Sequence, residues 1–220
     1  MFGDIPLNEL LDIIAGIFIV LFVVIEPVGL VPLFSSLTRD LDPAAQRRTA
    51  VKGTLISAVI LVGFIFAGDT LLNYLNVSVH SFSIAGGILL FLLAIEMVFA
   101  RQSGLRSTTP SENVEARDKL DVSVFPLAIP LIAGPGALTS LLLLSSRYDH
   151  VPHIVWLVVL VLLVVLLILL ILLLSTPVVS RLLGETGSNV ISRVLGIVLA
   201  ALAVQFVLDG ISGGLGFQAP

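Results

Sequence analysis

Long apolar runs separated by short polar connections dominate the chain. Each run is long enough to cross a bilayer core of about 30 Å as a helix. Six such runs lie at about 11–35, 50–72, 79–100, 122–146, 152–175 and 190–210. The pattern therefore predicts an all-α, polytopic membrane protein of six transmembrane helices, in contact with the lipid bilayer. The fifth run, almost pure Val, Leu and Ile, is expected to face lipid.

The distribution of Lys and Arg predicts the orientation, because cytoplasmic loops of membrane proteins carry an excess of these residues. Arg147 alone lies on one side of the predicted spans. The other ten lie on the opposite side: Arg39, Arg47, Arg48, Lys52, Arg101, Arg106, Arg117, Lys119, Arg181 and Arg193. This asymmetry predicts that both termini lie outside the cytoplasm.

A polar connection at about 101–121 divides the single transmembrane domain into two three-span halves, about 10–100 and 122–210. The halves resemble each other, since "GILLFLLAIEMV" of span three aligns without gaps to "GIVLAALAVQFV" of span six. Spans one and four share prolines five residues apart, Pro27 with Pro32 and Pro130 with Pro135. Because three spans is an odd number, the second half must enter the membrane upside down. We therefore predict two inverted three-helix repeats, an architecture of secondary transporters.

The paired prolines predict broken helices in spans one and four, because proline removes a backbone donor and clashes with the preceding turn. A broken helix offers N–H groups at one end and carbonyls at the other. These ends suit a carboxylate and an ammonium group, so two breaks near the midplane suit a zwitterion. The residues expected at this site are Glu26, Gly29, Pro32, Gly86, Gly87, Gly134, Pro135, Gly136 and Thr139. The alternative is a pair of kinks patched by neighbouring helices, and close helix packing is favoured for Gly86 and Gly87.

Two carboxylates, Glu26 and Glu96, lie well inside predicted spans. A charged residue at the bilayer centre costs about 2.5–3.5 kcal/mol on insertion scales, so such residues usually face a cavity or a partner. Both are therefore candidates to carry a coupling proton. For Glu26 the alternative is a structural hydrogen-bonding role. Glu96 lies about one turn from the predicted cytoplasmic end, and the alternative is that it reaches outward to water.

The composition excludes several other classes. Of 220 residues, 57% are hydrophobic and 12% are charged, against about 25% charged in soluble domains. The chain has no cysteine and its three histidines lie near predicted loops, so no metal site and no cofactor are expected. The net charge of -4 comes from scattered acidic residues, so nucleic acid is not an expected partner. The sequence has no phosphate-binding loop, so ATP is not the expected energy source.

Four segments, "EPVGLVPLF", "FSIAGGILLFLLAIEMV", "FPLAIPLIAGPGALT" and "SRVLGIVLAALAVQFVLDGI", resemble the MarC family of six-span membrane proteins in order and spacing. The resemblance covers nearly the whole chain. It implies a location in the cytoplasmic (inner) membrane. For the characterised branch, which includes the transporter SnatA, it implies transport of glycine and alanine. The chain departs from the family pattern in having Glu26 and Leu30 where Asp and Asn are usual, and Glu96 where Asp is usual.

The function expected from these observations is secondary transport of small neutral amino acids such as glycine and alanine. H+ is the expected coupling ion, and Na+ remains open because carbonyls at a broken helix suit it as well. The alternatives are a channel-like facilitator and a membrane scaffold or enzyme of unknown substrate. The direction of transport, the oligomeric state and the effect of Leu30 on substrate range are not determined by the sequence.

Overall fold

The structure, a computed structural model, describes residues 6–99, 121–148, 151 and 153–216. Within these residues the chain is all-helical and has no strand. Its helical segments are α1 (Leu7–Ile25), α2 (Pro27–Leu37), α3 (Pro43–Tyr74), α4 (Val79–Phe99), α5 (Ser123–Ile132), α6 (Pro135–Arg147), α7 (Ile154–Leu174) and α8 (Thr176–Gly214). The polar connection predicted at about 101–121 lies outside the described residues, apart from Asp121.

Helices long and apolar enough to cross a membrane lie at five of the six predicted runs, and at the sixth when a bent pair of helices is counted as one span. Within the described residues, five segments satisfy this criterion: α1 with α2, α3, α4, α7, and Thr186–Gly214 of α8. The sixth is the pair α5 and α6, which is bent by 49°. The prediction of an all-helical, polytopic membrane protein with interrupted spans is therefore confirmed.

The first span is interrupted at Glu26, which has left-handed backbone angles (φ 54°, ψ 58°). The residue before a proline is disfavoured in right-handed helix, and Pro27 follows immediately. Pro27 then starts α2, the position in which proline is tolerated best. Gly29 and Pro32, both expected at the site beside this break, do not form it, because α2 continues through both residues.

The fourth span is interrupted more extensively, because it contains three prolines. Phe125 and Ile129 have extended backbone angles, and each precedes a proline within α5. The chain then leaves the helix at Ala133 and Gly134 before Pro135 starts α6. The predicted break around Pro135 is therefore present, and irregular backbone extends upstream of it.

Helices α4 and α8 pack antiparallel at very close range. A Cβ atom on Gly87 would lie 2.7 Å from both the Ala203 carbonyl oxygen and Cγ2 of Val207. A Cβ atom on Gly196 would lie 3.1 Å from Cγ2 of Val98. In the repeat alignment Gly87 corresponds to Gly196, and Val98 corresponds to Val207, so the two contacts are reciprocal. An inverted repeat would produce this relationship, and the repeat itself stays a prediction.

Helix α7 has one buried face and one exposed face. Leu162, Val165 and Leu169 are fully buried, and the helix packs against α1, α2 and α3. Leu163 and Leu167 are about half-exposed on its other side. The expectation that span five simply faces lipid is therefore wrong for half of its surface. A helix that is apolar all round gives no pattern from which its buried face could be predicted.

An ion pair connects the two halves of the chain where α5 begins. Lys52 of α3 donates a hydrogen bond to Asp121, two residues before α5. The hydroxyl of Ser123 also donates to Asp121, at 2.6 Å. Together, with Lys52 contributing most, these bonds lower the pKa of Asp121 to about 2. Asp121 therefore remains ionised well below neutral pH and holds this end of α5 against α3.

Candidate functional site

The two interruptions lie next to each other in the fold. Gly136, at the start of α6, packs against the end of α1 and against α4. A Cβ atom on Gly136 would lie 3.5 Å from Cγ1 of Val24 and 2.8 Å from Cδ2 of Leu90. Val24 is two residues before Glu26, where α1 is interrupted. The structure thus brings together the two segments that the paired prolines single out.

A small cavity of about 20 Å³ lies at this junction. Gly134, Pro135 and Gly136, all predicted site residues, contribute to its wall, as do apolar side chains of α1 and α4. The full lining is Val24, Leu89, Leu93, Pro130, Leu131, Ile132, Gly134, Pro135, Gly136 and Ala137. The volume holds about one water molecule, so the cavity is smaller than an amino acid.

The start of α6 forms one side of the cavity. Pro135 is its first residue, and within the described residues no side chain caps this helix end. The first N–H groups of a helix have no partner inside the helix, and the helix dipole makes this end positive. Gly136 and Ala137 carry these groups at the cavity wall. This helix end is therefore suited to a carboxylate.

Glu26 is buried at the other interruption, with 4% of its surface exposed. Its carboxylate lies directly above Gly29, so that a Cβ atom there would collide with Oε1 of Glu26. The same Cβ atom would lie 2.8 Å from Oγ of Ser192 in α8. The carboxylate and this hydroxyl therefore share the space that Gly29 leaves open. Glu26 also immediately precedes α2, and the positive end of that helix dipole stabilises a negative charge there. This stabilisation does not depend on a ligand.

Ser192 is a site residue that the sequence analysis missed. In the ungapped alignment of spans three and six, extended by four residues, Ser192 corresponds to Ser83. Ser83 is buried in α4 and donates a hydrogen bond to the carbonyl of Phe206, at 2.7 Å. A polar residue at matching positions of both repeats was the signal that could have identified Ser192.

The remaining predicted residues have different surroundings. Gly86 of α4 contacts Thr139 of α6, next to the cavity, and Gly87 contacts α8 instead. Pro32 lies inside α2 and is partly buried. Glu96 is partly buried and lies three residues, less than one turn, beyond the cavity residue Leu93. Gly86 and Thr139 therefore form a helix-packing contact beside the cavity, whereas Gly87 contacts α8 and lies away from the cavity.

These features define a multi-pass integral membrane protein with two interrupted spans that meet at a small cavity. The sequence model of "MarC family integral membrane protein" matches residues 11–215. The chain belongs to this family.

Curated relatives cover nearly the whole chain. The "UPF0056 membrane protein YhcE" of Escherichia coli K12 is 36% identical over 196 residues, 89% of this chain and 90% of the relative. The "UPF0056 inner membrane protein YhgN" of the same strain is 36% identical over 193 residues, 88% of this chain and 93% of the relative. The "UPF0056 membrane protein YvbG" of Bacillus subtilis strain 168 is 33% identical over 200 residues, 91% of this chain and 94% of the relative. No solved structure matches the chain.

Proposed function

We propose that the protein is a secondary transporter of small neutral amino acids, such as glycine and alanine, in the cytoplasmic membrane. The observation that carries this proposal is the meeting of two interrupted spans, one with a buried carboxylate and the other with an uncapped helix start. Interrupted helices that meet inside the membrane form substrate sites in many secondary transporters.

The chemistry of the two interruptions is complementary to a zwitterion. Glu26 supplies negative charge for an ammonium group, and the start of α6 supplies N–H groups for a carboxylate. Val24, Leu89 and Leu93 surround the cavity with apolar side chains. A small, uncharged side chain suits such walls, whereas a charged or long one does not. The site therefore favours glycine, alanine and similar amino acids over larger or charged ones.

The family relationship supports the membrane location. The name of one relative places that relative in an inner membrane, which agrees with the location proposed here. The distribution of Lys and Arg supports an orientation with both termini outside the cytoplasm. Leu30, at the position where the family resemblance implies Asn, is fully buried in α2. We propose that this replacement alters the substrate range.

A proton is the coupling ion that the site supports best. Glu26 is buried at the interruption, and Glu96 lies less than one turn beyond the cavity residue Leu93. A buried carboxyl group can carry one proton across a conformational change without a further cofactor. Na+ is the alternative ion, and imposed gradients of each ion distinguish the two.

The decisive experiment measures uptake into liposomes that contain the purified protein. We expect accumulation of glycine and alanine under a proton gradient, with saturation and counterflow. Uptake that neither saturates nor supports counterflow would indicate a channel-like facilitator. Absence of uptake for a full panel of amino acids, under proton and sodium gradients, would contradict the proposal.

Glu26→Gln tests the role of the buried acid, because glutamine keeps the shape but cannot ionise. If Glu26 carries the proton, this variant loses gradient-driven accumulation and keeps substrate exchange. If Glu26 binds the ammonium group, substrate binding weakens by about 1.5–3 kcal/mol. Glu9→Gln, at an exposed acid of α1, is the matched control. Wild-type accumulation and affinity in Glu26→Gln would leave Glu26 a structural role and make Glu96 the next candidate.

A further inference from the structure

A carboxylate and a hydroxyl group from two different helices lie together over Gly29 of α2. If Gly29 carried a Cβ atom, the nearest side-chain atoms would be Oε1 and Cδ of Glu26 and Oγ of Ser192 in α8. Both oxygens would lie within 2.8 Å of that one point. The two groups are therefore so close that a small rotation of either side chain brings them within hydrogen-bond distance of each other.

Glu26 is an acid whose surroundings limit its access to water. It is buried, Ser192 is partly buried, and α8 packs against α2. A buried carboxyl group requires hydrogen-bond partners in both of its protonation states, because unmet polar groups are costly away from water. A hydroxyl group serves both states, since it donates to an ionised carboxylate and accepts from a protonated carboxyl group. Ser192 is therefore suited to an acid that gains and loses a proton.

The start of α2 offers other donors to the same carboxylate. Glu26 immediately precedes α2, and the first N–H groups of a helix have no partner within the helix. An acidic side chain at this position commonly accepts from them, yet in the part of the chain that the structure describes, Glu26 makes no such side-chain bond. Its carboxylate lies over Gly29 instead, beside the hydroxyl of Ser192. This orientation is not the one that α2 alone favours, so a group on α8 is needed to hold it.

The corresponding positions of the second repeat do not form the same pair. In the repeat alignment Ser192 corresponds to Ser83, and Glu26 corresponds to Ile129, which has no polar side chain. Ser83 donates its hydrogen bond to the carbonyl of Phe206, at 2.7 Å, which is a contact between α4 and α8. The serine thus lies beside an acid in one place only. This is the pattern of a single proton-carrying group and not of a packing contact that both halves share.

We infer that Ser192 is the positioning residue of Glu26, whose carboxyl group it holds over Gly29, where that group exchanges the proton that drives transport. The coupled proton rests on the proposed function, whereas the contact itself does not depend on transport. The carboxylate binds and releases the proton, and Ser192 contributes a hydrogen bond only. Without the hydroxyl, the carboxylate turns toward the N–H groups at the start of α2 and is less available to the proton.

Ser192→Ala removes the hydroxyl, and Ser192→Thr keeps it. We expect Ser192→Ala to lower the kcat of proton-driven L-alanine uptake into liposomes about 10- to 100-fold, the effect of a lost hydrogen bond to a charged group, with little change in KM. Ser192→Thr should restore most of the rate. Ser188→Ala is the matched control, because Ser188 is a buried serine one turn earlier in α8, and it should keep the wild-type rate.

A double variant tests whether Ser192 acts through Glu26. Glu26→Gln already removes the group that ionises, so adding Ser192→Ala to it should cause no further loss of proton-driven accumulation. Two residues in one hydrogen-bonded unit are non-additive in this way, whereas independent structural effects add. Equal losses on Ser192→Ala with and without Glu26→Gln would therefore overturn the inference.

Infrared difference spectra test the contact without transport. Spectra of the purified protein at acidic and alkaline pH differ by the C=O bands of the carboxyl groups that titrate between them, and the band missing in Glu26→Gln belongs to Glu26. We expect this band to move to higher wavenumber in Ser192→Ala, because loss of a hydrogen bond stiffens the C=O bond. It should stay in place in Ser192→Thr and Ser188→Ala. Gly29→Ala should also move it, because the added Cβ atom would collide with Oε1 of Glu26.

The outcomes separate the two proposals. Absence of uptake by the wild-type protein would overturn the proposed function, whereas a Glu26 band that moves in Ser192→Ala would still support the positioning contact. Proton-driven uptake with the same kcat in Ser192→Ala and the wild type would overturn the inference alone. A Glu26 band that Ser192→Ala leaves unchanged would also overturn it.

Discussion

Thr139 of α6 fills the space that the missing side chain of Gly86 leaves on α4. A Cβ atom on Gly86 would collide with Cγ2 of Thr139 and lie 3.0 Å from its hydroxyl oxygen. Thr139 is itself buried, and the cavity lies beside this contact, between the same two helices. The separation of α4 and α6 is therefore set by a glycine and a threonine that match each other in shape.

Gly86→Ala should destabilise the protein by about 1–3 kcal/mol, because overpacking a buried contact forces neighbouring groups apart. Adding Thr139→Ser removes the colliding methyl group and keeps the hydroxyl, so the double variant should recover part of the loss. Thermal unfolding in detergent measures both effects. Gly63→Ala is the control, since a Cβ atom on Gly63 meets nothing within 4 Å. Equal melting temperatures for Gly86→Ala and Gly63→Ala would contradict this account of the contact.

Gly136→Leu should abolish transport by filling the cavity from the α6 side. A Cβ atom on Gly136 would lie 2.8 Å from Leu90, so a larger side chain would fill the space proposed for the substrate. Gly136→Ala is the milder variant, because Leu90 is flexible and can give way; it should lower transport only partly. Liposome uptake, compared with the amount of protein in the membrane, gives the measurement. Normal uptake in Gly136→Leu would remove this position from the site.

The sequence predicted those features that depend on local chemistry. The six spans follow from apolar length, and the interruptions fall next to prolines because proline restricts its own backbone and that of the preceding residue. The first break nevertheless lies at Glu26 and not at Gly29, since α2 tolerates Gly29 and Pro32 in its interior. Proline composition alone does not determine which of two nearby prolines ends a helix.

Other features depend on which helices become neighbours, and the sequence carried less information about these. Nothing in the uniform composition of α7 showed that Leu162 and Leu169 are buried. The proximity of Ser192 to Glu26 arises because α8 packs against α2, a long-range contact that periodicity does not reveal. Gly86 and Thr139 were both predicted site residues, and the structure shows that they contact each other directly. Candidate site residues could therefore be predicted from the sequence, whereas the residues that they contact in the fold could not.

The predicted orientation can be tested by labelling, because the wild-type chain has no cysteine. A single cysteine at Ser111, in the long polar connection, should react with impermeant reagents only from the cytoplasmic side. The Lys and Arg asymmetry is the reason for this expectation. A cysteine at Ser78, which is exposed between α3 and α4, should react from the outside and serves as the opposite control. Reversed labelling of the two sites would show that both termini lie in the cytoplasm.

The ion pair of Lys52 and Asp121 should stabilise the protein only above acidic pH. The pKa of Asp121 is lowered from 3.8 to about 2 in the folded protein, so its contribution is present above pH 3.8 and is lost as the pH falls toward 2. Both side chains are about half exposed, so we expect at most about 1 kcal/mol. Asp121→Asn should therefore melt below the wild type at pH 7, and the difference should shrink between pH 4 and pH 2. Asp69→Asn, at an exposed acid of α3, is the control. A difference that stays constant down to pH 2 would show that the loss in Asp121→Asn does not come from this charge.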